Sequence, residues 1–200
     1  MLDALEIIRV HDNMTRAWHE PAEQSTLTDE ADFYADNLMA LVTAQHRANF
    51  DLWHEEDKAR DPSANDSQIA GVKRQIDRLN QLRNDLVEKI DSLLLDHLDE
   101  NLHAPLHSET PGLIIDRLSI LAPKIYHTRE ESNRDTASEA HRNRNRERLA
   151  VLEAQRHDLA SCLDDLWTEV LQGKRRFKLY RQLKMYNDPE LNPVIYGNKR

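Results

Sequence analysis

The scarcity of glycine is the feature that most limits how this chain can fold. Its 200 residues include only four glycines and seven prolines. A strand-rich chain of this length needs many tight turns, and glycine supplies the backbone conformations that many of those turns require. Long stretches with apolar residues three and four positions apart predict helices instead. We therefore expect an all-α protein.

The apolar periodicity divides the chain into two hairpins with a flanking segment at each end. A first helix is predicted over residues 2–18, and a basic helix or tail over residues 174–200. Antiparallel helical hairpins are predicted between them, over residues 28–98 and 110–172. The sequence thus predicts one helical domain over residues 1–200, with the two hairpins packed as a four-helix bundle.

The two hairpins match each other at a constant offset. Trp53 and Tyr126 are 73 residues apart (126 − 53), and so are Arg83 and Arg156 (156 − 83). The match continues without a gap across the turn of each hairpin, which unrelated helices seldom achieve by chance. We interpret the hairpins as duplicated copies. In the second hairpin, a polar stretch over residues 132–148 is predicted to link the two helices.

The charge is distributed unevenly along the chain. Residues 1–116 carry 10 Lys/Arg against 24 Asp/Glu, whereas residues 117–200 carry 17 against 12, which together give the net charge of −9. A chain without a dominant basic surface is not expected to bind nucleic acid. The segment 174–184 has six basic residues and no acid, so we expect it to dock as an amphipathic helix on the acidic half.

Several features favour a cytoplasmic location. The longest apolar runs are far shorter than the ~20 residues that cross a bilayer, and no basic segment followed by an apolar stretch marks a signal peptide after Met1. Cys162 is the only cysteine, which fits a reducing compartment. Because Cys162 falls three residues after Leu159 on an apolar stripe, we expect it to be a buried small side chain.

Arg83 and Arg156 are the candidate ligand-binding residues. Each lies four residues after one leucine of an apolar stripe and three before the next, so both guanidinium groups should point toward the apolar seam. A buried guanidinium needs an anion or several acceptors, and two of them at one level of a bundle would bind a phosphate or carboxylate. The alternative is that both lie at the edge of the seam and extend outward to water.

A second repeated unit places a histidine three residues before an acid, on one helix face. His54 precedes Asp57, and His127 precedes Glu130, so these four residues are an alternative metal site. Di-iron bundles use the opposite order, Glu-x-x-His, with further glutamates on the other helices. We therefore predict no metal and no cofactor, with each histidine paired to its acid or stabilising the end of its helix.

Strings spread over most of the chain resemble a known family. They are Trp53-His54-x-Glu56-Asp57, Arg60-Asp61-Pro62, Glu109-Thr110-Pro111, Ile115-Asp116-Arg117-Leu118-Ser119-Ile120-Leu121, Lys124-Ile125-Tyr126-His127, and Lys184-Met185-Tyr186-Asn187-Asp188-Pro189-x-Leu191-Asn192-Pro193. With them the chain resembles the uncharacterised bacterial domain-of-unknown-function family 4254. The resemblance implies no activity and no catalytic residue. It implies only a genomic setting, beside glycosyltransferases of cell-envelope polysaccharide synthesis.

Three functions remain open from the sequence. The first is a cytoplasmic binding or accessory protein of envelope-glycan synthesis, whose partner is a glycosyltransferase or a second copy of the chain. Its contacts would include the tail residues Tyr186, Asn187, Asp188 and Asn192. The second is an enzyme or binder of an anionic small molecule such as a nucleotide sugar, held by Arg83 and Arg156. The third is a metal-dependent helical-bundle enzyme.

Overall fold

The structure is a computed structural model, which describes residues 2–20, 37–182 and 190–191. Its helices are α1 (Ala4–His19), α2 (Leu38–Lys58), α3 (Asp66–Asp96), α4 (Pro111–Asn133) and α5 (Glu139–Leu171). In these ranges the only β-type pairing is a single bridge between Leu106 and Arg176. The predicted all-α class is confirmed. No helix in the described ranges is both long and apolar enough to span a membrane.

Polar side chains fix where the helices begin. The N-caps Asp3, Asn37, Asn65, Thr110 and Ser138 each accept a hydrogen bond from a backbone N–H of the first turn. Asn37 is extended and caps α2, which begins at Leu38; the predicted start of the first hairpin at residue 28 lies outside the described residues. The predicted polar link over 132–148 was too long, because α4 ends at Asn133 and α5 follows it closely. The Ser138 cap starts α5 ten residues before Leu149, at Glu139, which pairs with Arg142 and Arg146.

Helix α4 is the centre of the bundle. It contacts each of the other four helices, and Ile114, Ile115, Leu118 and Ile125 on it are almost completely buried. Helix α1 packs against α2, α4 and α5, while α3 and α5 do not meet in the part of the chain described. Helix α1 is therefore part of the bundle, together with the four hairpin helices. It covers a side of α4 that would contact a hairpin helix in a closed four-helix bundle.

The two hairpins have the same layout. Helix α4 begins 73 residues after α2 (111 − 38), and α5 begins 73 residues after α3 (139 − 66). This offset is the one found between Arg83 and Arg156. Shared descent of the hairpins stays a prediction.

A buried carboxylate joins the hairpins. Asp91 of α3, which is 3% exposed, accepts hydrogen bonds from the Thr110 hydroxyl and, at 2.7 Å, from the Gly112 N–H at the start of α4. Burial raises the pKa of Asp91 to about 6, although these two hydrogen bonds lower it. A Cβ atom on Gly112 would lie 2.7 Å from Asp91 Oδ1 and 2.9 Å from the carbonyl oxygen of Val87, so only glycine fits.

The basic segment after α5 docks as an extended chain and not as the predicted amphipathic helix. Gly173, with a φ of 63°, ends α5. His107 N–H then donates to the Arg176 carbonyl at 2.7 Å, and Phe177 is 1% exposed. Cys162 is exposed, contrary to prediction, because α5 lies at the edge of the bundle and buries little of its surface.

Candidate functional site

A pocket, which we call the arginine pocket, lies between α1 and α4. Asp12, Thr15 and Arg16 line it from α1, and Ala122, Ile125, Tyr126 and Arg129 line it from α4. Residues three and four apart share a helix face, so each helix contributes one continuous wall. The space within it that water-sized atoms can fill is about 30 Å³, and the wider depression around that space, about 280 Å³, includes open solvent.

The pocket contains more positive than negative charge. Arg156 of α5 donates to both carboxylate oxygens of Asp12, at 2.9 and 3.0 Å, and Arg129 pairs with Glu153 at 2.8 Å. Arg16 forms no ion pair with the described residues. In the lining itself, the guanidinium groups of Arg16 and Arg129 face the one carboxylate of Asp12, which favours an anionic ligand, although Glu20 and Glu130 also act on Tyr126 in the pocket wall.

The two predicted arginines have separate carboxylate partners. Arg156 pairs with Asp12 of the arginine pocket, and Glu153, one turn from Arg156 on α5, pairs with Arg129. Arg83 lies on α3, with its Nε atom 3.9 Å from Oδ1 of Asp116 on α4. The partner of Arg83 therefore comes from the second hairpin, which the sequence pattern did not indicate. Binding of one anion by both arginines stays a prediction.

A buried polar network runs from the arginine pocket toward Arg83. His46 Nε2 lies 2.9 Å from the Thr15 hydroxyl and 3.0 Å from the His11 carbonyl oxygen, and its Nδ1 lies 2.8 Å from the Ser119 hydroxyl. Because a carbonyl only accepts, Nε2 carries the proton and Nδ1 accepts from Ser119. Asn49 then donates to both Ser119 Oγ and Asp116 Oδ1, each at 2.9 Å.

Burial determines how this network titrates. His46 is fully buried, and desolvation lowers its pKa to about 4. The pKa of His11, whose ring lies 4.5 Å from that of His46, is also lowered well below its ordinary value, by burial and by the nearby His46. The pKa of Asp116 is raised by desolvation, although Asn49 and Arg83 counteract this effect. The network is therefore held in its neutral histidine form near neutral pH.

Three histidines, which we call the histidine cluster, lie where α1, α2 and α4 meet: His19, His54 and His127. The ring centroid of His19 is 4.7 Å from that of His127 and 5.4 Å from that of His54. His19 also stacks on Tyr126 of the arginine pocket, with centroids 4.4 Å apart and planes at 12°. The cluster is therefore in direct contact with Tyr126, which forms one wall of the pocket.

Each histidine of the cluster has its Nδ1 atom beside an acceptor. The partners are the Thr15 carbonyl for His19 at 2.7 Å, the Phe50 carbonyl for His54 at 2.9 Å, and the Glu130 carboxylate for His127 at 3.0 Å. These oxygens only accept, so Nδ1 carries the proton and Nε2 has the free lone pair. The Nε2 atoms of His19 and His127 are buried and have no hydrogen-bond partner.

The predicted alternative metal site is only partly brought together. His54 and His127 both lie beside His19, but Asp57 is exposed and pairs with Arg60. Among the described residues, no three histidine, cysteine or acidic side chains are arranged to hold a metal ion. The predicted pairing of histidine with acid is found for His127 and Glu130.

Sequence reasoning missed His19, His46 and Ser119. The available signal was the polar pair Gln45 and Asn49, one turn apart on α2 and on the same helix face as Leu41 and Leu52, which marks a polar strip facing the core. The predicted contact residues Tyr186, Asn187, Asp188 and Asn192 lie outside the described residues.

Comparison with known proteins gives a family and no function. A family model described as "Protein of unknown function (DUF4254)" matches residues 39–179. The match spans almost all of α2 and the whole of α3, α4 and α5, so the α1 wall of the arginine pocket lies outside it. No curated protein matches the chain, and no solved structure does.

Proposed function

Since the chain belongs to the DUF4254 family, whose function is unknown, we propose a function from the geometry of the arginine pocket. The protein binds a small anionic molecule there, with the anionic group at Arg16 and Arg129. The observation that carries the proposal is Arg16, a guanidinium in a concave site without an ion-pair partner among the described residues.

Arg129 is available to the ligand as well. Its ion pair with Glu153 is solvent-exposed on both sides, at 48% and 44% of side-chain area, and such pairs contribute only about 0–1 kcal/mol. A phosphate can therefore replace Glu153 at low cost. Arg156 remains hydrogen-bonded to both carboxylate oxygens of Asp12 and is not expected to bind the ligand.

The remaining lining fits the uncharged part of such a ligand. Ala122 and Ile125 are buried and form an apolar floor, and Tyr126 adds an aromatic wall. Sugar phosphates and nucleotide sugars combine an anionic group with a ring that packs on such surfaces. The expected ligand is of this class.

The proposal concerns binding and not a reaction. Asp12, the carboxylate in the pocket, is already held by Arg156. Burial and the nearby Glu130 raise the pKa of the Tyr126 phenol, which disfavours a phenolate nucleophile. Neither group is therefore prepared to act as a base or a nucleophile.

We further propose that this binding serves envelope-glycan synthesis in the cytoplasm, with the chain as an accessory protein of a glycosyltransferase. The support is the genomic setting that the family resemblance implies, together with the arginines and the aromatic ring that line the pocket. Co-purification of the tagged protein tests this role. Recovery of the chain alone, from cells that express the neighbouring glycosyltransferase, would count against it.

Thermal unfolding with inorganic phosphate, a sugar phosphate and a nucleotide sugar tests the pocket. A ligand at about 100 times its Kd stabilises the folded state by about 2.7 kcal/mol. Arg16→Gln should abolish this stabilisation and Arg129→Gln should weaken it. Arg9→Gln is the matched control, because Arg9 is exposed on the same face of α1, two turns before Arg16. Equal stabilisation of the wild type and Arg16→Gln would refute the proposal.

A second anion site at Arg83 is supported by two polar atoms near Asp116. Arg83 Nε and Gln45 Oε1 are buried without hydrogen-bond partners, and the Gln45 amide donates to Asp116 from the other side. A ligand with a donor and an anionic acceptor would pair with both atoms. Ligand stabilisation that is lost in Arg83→Leu and kept in Arg16→Gln would assign the site to Arg83.

A further inference from the structure

The histidine cluster and the arginine pocket share Tyr126. One face of the Tyr126 ring is covered by His19 at 4.4 Å, and the same residue lines the pocket. Helix α1 carries both Arg16 and His19, one turn apart. A charge that forms on His19 is therefore close to an anion in the pocket, with only an aromatic ring between them.

His19 has a free position for a proton. Its Nδ1–H donates a hydrogen bond to the Thr15 carbonyl, and its Nε2 atom is buried without a hydrogen-bond partner. His127 has the same arrangement, with Nδ1–H on Glu130 and an unpartnered Nε2. Buried polar atoms without partners are uncommon in folded proteins, so two of them in contacting rings require an explanation.

We propose that the histidine cluster takes up a proton when an anion binds in the arginine pocket, so that anion affinity rises as the pH falls. This inference rests on the proposed function of the pocket. His19 is the residue that accepts the proton, because it stacks directly on the pocket wall.

Charged and titratable groups on each neighbouring helix act on His19. His54 of α2 and His127 of α4 oppose its protonation, and Glu130 of α4 favours it. On α1, the Thr15 carbonyl favours the protonated ring. Without a ligand, burial is the largest of these effects and keeps the pKa of His19 below its ordinary value.

An anion changes this balance. It neutralises Arg16 and adds negative charge on the far side of the Tyr126 ring, and both effects stabilise a protonated His19. Because coupling between two binding events is reciprocal, a proton on His19 then strengthens anion binding by the same factor.

Calorimetric titration with sulfate tests the coupling. Sulfate keeps its double negative charge across the range from about pH 8 to about pH 6, so any change in affinity comes from the protein. We expect sulfate to bind at least about fivefold more tightly at the lower pH, in the usual range of coupling between sites. Repetition in two buffers with different ionisation enthalpies measures the proton uptake directly, and uptake should accompany binding.

Variants at His19 identify the titrating group. His19→Phe keeps an aromatic ring against Tyr126 but cannot take up a proton, so the pH dependence should disappear while affinity at about pH 8 is kept. His19→Gln is the second variant, in case the phenylalanine disturbs folding. His103→Gln is the matched control, because His103 is exposed in the connection between α3 and α4. Its titration should equal that of the wild type.

The outcomes separate this inference from the proposed function. Sulfate binding that is independent of pH, or pH dependence that persists in both His19 variants, would overturn the coupling and leave the pocket in place. Absence of sulfate binding at every pH would overturn both proposals. Proton uptake that is lost in the His19 variants alone would support the coupling.

Discussion

The low pKa of His46 makes a prediction about how stability depends on pH. His46 is fully buried, its partners Thr15, Ser119 and the His11 carbonyl are neutral, and burial lowers its pKa from 6.5 to about 4. The unfolded chain therefore binds a proton at this residue below about pH 6.5, and the folded chain binds it only near pH 4. Between these values the unfolded state holds more protons, so stability falls as the pH falls.

The size of this effect follows from the two pKa values. A difference of 6.5 − 4 corresponds to about 3 kcal/mol of stability, which is lost between about pH 7.5 and about pH 4. Asp91 acts in the opposite direction. Its raised folded pKa, about 6 against 3.8, means that the folded state holds its proton more tightly and gains stability as the pH falls through this range. The wild-type stability curve alone therefore does not isolate His46.

A comparison of the wild type with His46→Gln removes the contribution of Asp91, which is common to both proteins. The substitution also relieves the effect of His46 on the pKa of His11, which acts in the same direction as the loss of the His46 titration. Glutamine has a donor and an acceptor for the same partners but does not titrate. At about pH 7.5 the variant should be less stable, by about 1–3 kcal/mol for an imperfectly satisfied buried network. This deficit should shrink by about 3 kcal/mol as the pH falls to about 4, because only the wild type must protonate a buried imidazole.

Urea denaturation at a series of pH values measures this difference. His157→Gln is the control, because His157 is exposed on α5, and its difference from the wild type should be constant across the series. A constant difference for His46→Gln, or a deficit that grows on acidification, would refute the reasoning and show that His46 is not held neutral by burial.

Three further substitutions test the packing. Gly112→Ala should cost about 1–3 kcal/mol, because its Cβ would meet Asp91 and the backbone oxygen of Val87; Gly71→Ala, with open space at its Cβ, should instead gain up to about 1 kcal/mol. Denaturation midpoints measure both, and equal effects would contradict the close contact. Phe177→Ala should cost about 3–5 kcal/mol, and faster proteolysis after Gly173 would show the segment detaching. A Phe177→Ala protein with wild-type stability would refute this docking.

The helices were predictable because their signals are local. Apolar spacing, a cap such as Thr110 before Pro111, and a break such as Gly173 all depend on neighbouring residues, and these signals bound the helices of the structure. The predicted start of α5 was wrong. The N-cap Ser138 begins the helix inside a long polar stretch, and that stretch has no apolar stripe from which a helix could be predicted. In that stretch, ion pairs such as Arg142 with Glu139 support the helix in place of a core.

The candidate site was less predictable because it is assembled between helices. Arg83 and Arg156 were identified from their spacing, but their partners Asp116 and Asp12 come from helices that no spacing rule connects to them. His19 has no local motif and is defined only by the rings packed around it. The sequence therefore indicates which polar residues face inward, and only the packing shows which of them meet.

Helix α1 is the element that makes the pocket, the network and the cluster one unit. Sixteen residues are marginal as an isolated helix, so α1 depends on its contacts with the bundle. Thr15 lies at the centre of these contacts: it lines the arginine pocket, its hydroxyl meets His46, and its carbonyl accepts from His19. An anion that bridges Arg16 of α1 and Arg129 of α4 would add a link between the same two helices. Ligand binding and the docking of α1 should therefore stabilise each other, because both depend on the same face of α4.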